Sequence, residues 1–160
     1  MDSLLMDRET RATAGDHRTL RLWLRLLTCS QLIERHVRSR LRERFDITLP
    51  RFDLLSQLER HPDGLNMSAL SRLLMVTGGN VTGIVDQLVK EGLVERLDDE
   101  SDRRAWRVRL TRAGDKAFAE MARAHEDWVA ELLSGFSRRD SDALMQLLAR
   151  LKQATLENSA

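Results

Sequence analysis

Arg103, Arg104, Arg107 and Arg109 fall in one short stretch, SDRRAWRVRLT, residues 101–111. A guanidinium is planar and permanently charged, and its fork of N–H donors matches a phosphate or a carboxylate. Arg107 and Arg109 alternate with Trp106, Val108 and Leu110. That is the period of a half-buried strand whose apolar residues hold it to the domain while the arginines face outward. Arg103 and Arg104 stand just before the strand, behind the acidic run DDESD (98–102). Upstream, TGGNVTG (77–83) combines the small polar groups Thr77, Asn80 and Thr82 with Gly78, Gly79 and Gly83. A glycine inside a helix costs roughly 1 kcal/mol relative to alanine. Two readings offset that cost: close backbone approach to a phosphate or base edge at a helix N-terminus, or tight packing of one helix on another. The arginines divide the same way, between phosphates and their acidic neighbours Asp98, Asp99 and Glu100.

Other chemistries find little support. There is no Gly-rich phosphate loop followed by lysine, no Gly-x-Ser-x-Gly and no cysteine–histidine pairing of known spacing, so no enzyme is expected. His17, His36, His61 and His125 are scattered without cysteine pairs, so neither a metal nor a cofactor is expected. The single cysteine, Cys29, excludes an intramolecular disulfide framework and fits a reducing cytoplasm. No apolar run approaches a membrane span, and the N-terminus lacks a secretory segment. The net charge of +1 requires any nucleic-acid surface to be a local concentration of charge.

These residues need elements to position them. Residues 1–18 are polar and without period, and are read as a mobile arm. From Thr19 to Phe45 the apolar residues Leu20, Trp23, Leu24, Leu27, Ile33, Val37 and Leu41 recur at steps suited to a long amphipathic helix. Pro50 marks the first turn of a second helix, and HPDG (61–64) ends it. Two short helices follow. Ser68 is the expected N-cap of the first, with Leu70, Leu73 and Leu74 inward. Thr77 is the expected cap of the second, whose apolar residues are Val81, Ile84, Val85 and Leu88, with Gly92 closing it. Their close succession makes a helix-turn-helix candidate.

LVERL (93–97) and AWRVRL (105–110) then read as a hairpin around a charged loop. Thr111 caps a further long helix carrying Ala117, Phe118, Met121, Ala124, Trp128 and Leu132 on one stripe. Ser137 with Asp140 resembles a capping box for a last helix with Leu144, Leu147, Leu148 and Leu151. The expected architecture is mainly α with a small β-hairpin: a winged helix-turn-helix over 49–112, flanked by dimerisation helices over 19–48 and 113–157. The apolar stripes of the end helices need partners, which an intertwined homodimer supplies. In a winged helix the hairpin loop reaches the minor groove beside the recognition helix, where arginine is favoured. Asp102 is spaced to hold Arg104 there, with Arg96, Arg107 and Arg109 serving phosphates.

The run LSRLLMVTGGNVTGIVDQLVKEGLVERLDDESDRRAWRVRLTRAG resembles the core of the MarR family of bacterial transcription regulators. The signature is GLVER, a short acidic loop, DRR, an alternating strand, then LTRAG; it covers residues 65–114 closely. The resemblance implies a homodimer offering two winged helix-turn-helix units to a pseudo-palindrome in double-stranded DNA, with repression as the usual mode. Thr77 to Thr82 would open the recognition helix, Asp102 and Arg104 would form the wing-tip pair, and Arg103 would be an adjacent phosphate contact. Family members commonly bind a small aromatic or anionic effector in the crevice between dimer arm and DNA-binding lobe. His36, Arg40, Arg51 and Phe52 are the candidates for it, since an aromatic carboxylate suits a flat apolar wall and a guanidinium. The resemblance to regulators of aromatic-acid breakdown extends the effector class to coenzyme A thioesters. Peroxide-sensing relatives hold a reactive cysteine with tyrosine hydroxyls. This chain has no tyrosine, so Cys29 is expected to be structural and buried. Two alternatives stay open: a winged helix that binds protein, and a constitutive DNA-binding protein without an effector.

Overall fold

The computed structural model describes residues 17–74, 78–98 and 106–159. Helix α1 (Arg18–Phe45) follows the three- and four-residue apolar steps and buries Val37 and Leu41. Asp46 ends it in the left-handed region at φ 50°, one of the few side chains that adopts this conformation at modest cost. Helix α2 (Leu49–Glu59) carries Pro50 in its first turn and buries Phe52, Leu54, Leu55 and Leu58. The HPDG turn closes with Gly64 N–H donating to the His61 carbonyl at 2.8 Å. Gly64 has φ +82°, and a Cβ there would lie 2.8 Å from the Val108 carbonyl oxygen, so only glycine suits this turn.

The chain continues through strand β1 (Leu65–Asn66), helices α3 (Met67–Leu74) and α4 (Gly78–Lys90), strands β2 (Val94–Asp98) and β3 (Trp106–Leu110), and helices α5 (Arg112–Leu132) and α6 (Arg138–Asn158). The sheet is antiparallel in the order β1-β3-β2. Leu65 pairs with Val108, and Arg96 pairs with Val108 from the other side. β1 is a third strand that periodicity does not reveal, because two residues are too few to alternate. Val81, Ile84, Val85 and Leu88 of α4 join Leu70, Val94, Val108 and the α2 leucines in the core.

Several expectations change. Ser68 is not the cap of α3: the Asn66 side-chain oxygen accepts from Ala69 N–H at 2.8 Å. Leu73 does not face inward, being 45% exposed. Cys29 is exposed rather than buried. Thr111 caps α5 as expected, accepting from Gly114 N–H at 3.0 Å. Ser137 caps α6 through Asp140 N–H at 3.1 Å. The second bond of that motif departs from a capping box, since the Ser137 hydroxyl itself donates to the Asp140 carboxylate at 2.6 Å.

The packing divides into two units, one running up to Glu126 and one from Asp127 onward. In the first, Phe52 of α2 stacks on Phe118 and His125 of α5, with ring centroids 5.5 and 5.1 Å away. In the second, α6 has no buried residue. No helix among the described residues is long and apolar enough to cross a membrane, and none of their side chains forms a metal-binding cluster.

Candidate nucleic-acid interface

α4 presents two unlike faces. Its apolar residues are spent on the core, which leaves Asn80, Thr82, Gly83 and Gln87 exposed on the other side. Gly78 and Gly79 open the helix. A Cβ at Gly83 would meet nothing within 4 Å. That removes helix packing as the reason for Gly83, and leaves bare backbone on the solvent side. Thr77, Asp102, Arg103 and Arg104 lie outside the described residues.

The hairpin is oriented by its pairing. Cross-strand partners share a face of an antiparallel sheet. Val94 and Val108 are buried, so their face is the inner one, and Arg96 (opposite Val108) lies on it. Arg96 forms an ion pair with Asp86 of α4. On the outer face, Arg109 Nε donates to Glu95 at 2.6 Å. Arg107 donates to two backbone carbonyls of the HPDG turn, Asp63 at 3.2 Å and Gly64 at 2.8 Å. Arg96, Arg107 and Arg109 are therefore tied to Asp86, the HPDG carbonyls and Glu95 in the free chain, while Asp99 and Glu100 of the acidic loop lie outside the described residues. Trp106 departs further from expectation. Its indole is 53% exposed and does not hold the hairpin down.

The arrangement matches known proteins. A family model described as MarR family matches residues 45–105. The crystal structure of a MarR family transcriptional regulator from Silicibacter pomeroyi is 33% identical, covers 89% of this chain and 99% of its own, and superposes with a TM-score of 0.74. The chain belongs to the MarR family of transcriptional regulators. The HTH-type transcriptional regulator PecS of Dickeya dadantii (strain 3937) is 27% identical over 117 residues, 72% of this chain and 70% of PecS. A structure of the S. aureus MepR–DNA complex shares the fold, with a TM-score of 0.69, 24% identity, 81% coverage of this chain and 94% of MepR.

Three residues of the exposed face of α4 also wall a crevice of about 460 Å³. Arg38 of α1, Thr48, Pro50 and Arg51 form one wall, and Asn80, Gly83, Ile84 and Gln87 of α4 form the other. Of the four residues expected to hold an effector in this MarR-family chain, only Arg51 lines it. Arg51 forms an ion pair with Glu91, just past α4, while its Nε is buried without a hydrogen-bond partner among the described residues. Phe52 belongs to the core, 6% exposed, because its ring is committed to Phe118 and His125. His36 and Arg40 are half-buried on α1 and do not line the crevice. The residues that sequence reasoning missed are Arg38, Thr48 and Gln87. Arg38 also forms an ion pair with Glu34. Nearby, burial raises the carboxyl of Asp53 above its ordinary value and Glu34 adds to this, against the opposing pull of His125 and Arg38.

Proposed function

We propose that this regulator is a homodimeric repressor that reads double-stranded DNA with α4 and the β2–β3 wing. A small aromatic or anionic effector, an aromatic acid or its coenzyme A thioester, then releases it. The exposed face of α4 carries the reading: small polar side chains flank a glycine whose surroundings are open, so a phosphate or base edge reaches the backbone. MepR, whose fold it shares, has been crystallised with DNA. Asp102 and Arg104 complete the interface as a wing-tip pair, with Arg103 beside them. The crevice supports the effector reading, because a carboxylate between α1 and α4 finds Arg38 and the unmet Nε of Arg51. Such a ligand competes with Glu91 for Arg51 and so loosens the tie between α2 and the end of α4. The exposed apolar residues Leu22 and Trp23 on α1 and Leu147 and Leu151 on α6 support the homodimer.

Gly83→Ala separates reading from folding. Alanine gains helix propensity and clashes with nothing, so stability rises by about 0.5–1 kcal/mol. The added methyl keeps DNA off the backbone, so affinity for a duplex selected by the protein from a random pool falls. Titrating that complex with aromatic acids and their coenzyme A thioesters tests release. A Gly83→Ala chain that binds as tightly as wild type would end the close-approach reading. A complex indifferent to every acid and thioester would end the effector reading.

A further inference from the structure

Trp106 is the least explained side chain near the interface. A large aromatic gains most from burial, yet this indole is 53% exposed while its strand neighbour Val108 is fully buried. Its direction follows from the register. Trp106 lies two residues from Val108 on β3, hence on the same inner face, and opposite Asp98 of β2. Arg96, opposite Val108, already reaches from this face to Asp86 of α4. On this face β2 therefore reaches α4, and Trp106 on β3 stands one pair further from Val108, past the end of the core. By register it lies on the side of the hairpin that faces the helix-turn-helix, where β2 packs on α4 and β3 on α2 and α3.

We propose that Trp106 is a positioning residue for DNA, laying its indole against the deoxyribose of the backbone that passes between α4 and the wing. The inference rests on the DNA-binding reading above. Two observations choose the occupant. Asp98 is the cross-strand neighbour of the indole, and its carboxylate repels a phosphate placed directly there, so the uncharged sugar is the complementary part of the backbone. Arg96 lies on the same face one pair inward, and Asp86 engages one nitrogen of its guanidinium. A guanidinium carries five N–H donors, which suits Arg96 to the adjoining phosphate. A sugar contact fixes register and carries no sequence information.

The test measures binding of wild type, Trp106→Ala and Trp106→Phe to two duplexes, one selected from a random pool and one of mixed sequence at low salt. Tryptophan emission is followed in the same titrations. The expected result is a roughly five- to tenfold loss in Trp106→Ala on both duplexes alike. Trp106→Phe recovers much of that loss. The chain's other tryptophans are Trp23 and Trp128, and the emission change on binding DNA should be present in wild type and missing in Trp106→Phe. Unchanged affinity in Trp106→Ala overturns the proposal. A loss confined to the selected duplex also overturns it, because the indole would then read bases. If wild type bound neither duplex, the DNA-binding reading itself would fail, and this one with it.

Discussion

Arg107 joins the wing to the turn that precedes the helix-turn-helix. Its Nε and Nη2 donate to the carbonyls of Asp63 and Gly64, and Gly64 is itself buried in a left-handed turn against Val108. The carbonyl of Gly64 is part-buried, so losing its donor leaves an acceptor without full hydration. Arg107→Ala should therefore lower the unfolding free energy by about 1–3 kcal/mol, read from urea denaturation, and Arg107→Lys should fall between, having charge without the two-pronged fork. A wild-type urea midpoint in Arg107→Ala would show the clamp to be idle. The sequence displays Arg107 as an outward arginine on a strand, which suits a phosphate equally well. Its partners lie more than forty residues away along the chain, brought near by a β1–β3 pairing too short to leave a pattern. Arg96 and Arg109 are similar, since Asp86 and Glu95 become their partners only once the hairpin register is known. Arg51 was legible as a crevice residue because it is a guanidinium on the second helix, suited to a carboxylate. Phe52 was not separable from it, because adjacent helical positions share a neighbourhood in sequence and face different ways in the fold.

At the scale of elements, the two ends of the winged motif are tied together. The Thr111 hydroxyl donates to the Gly92 carbonyl at 2.7 Å and accepts from Gly114 N–H, while Thr111 N–H donates to the Leu93 carbonyl at 3.1 Å. Gly92, at φ +72°, ends α4, and the first turn of α5 passes directly over Leu93. A Cβ at Gly114 would fall 1.8 Å from the Leu93 carbonyl oxygen. Gly114→Ala should thus force backbone apart and destabilise by about 1–3 kcal/mol or more, where a glycine-to-alanine change in an open helix would stabilise. Chemical denaturation of Gly114→Ala beside Gly83→Ala checks both signs, and a stabilised Gly114→Ala would mean that α5 does not start against Leu93. The helices and the hairpin strands were legible nearly to the residue, since long periods and caps are local. The cap of α3 was not, because Asn66 and Ser68 both suit the role by type. Asn66 takes it as the last residue of β1, whose extended backbone is the conformation an N-cap needs.

For the whole molecule, the apolar stripe of α6 poses the largest question of energetics. Leu147 is 58% exposed and Leu151 37%, and no α6 residue is buried, a cost in water that the proposed second copy would relieve. The stripe itself was legible from Leu144, Leu147, Leu148 and Leu151. What covers it was not, because periodicity gives the face of a helix and says nothing of the surface that meets it. Placing a charge there separates folding from association. Asp at an exposed position costs the single chain little, whereas in a symmetric interface each substitution is buried twice without a partner. Leu147→Asp with Leu151→Asp should therefore shift the protein to monomer in sedimentation while its helical content persists. Duplex affinity should fall with it, because binding at the second half-site loses the effective concentration that the linked subunit provides. Wild type should also show a thermal midpoint that rises with protein concentration, as folding coupled to association requires. A double variant that still sediments as a dimer would place the interface away from this stripe.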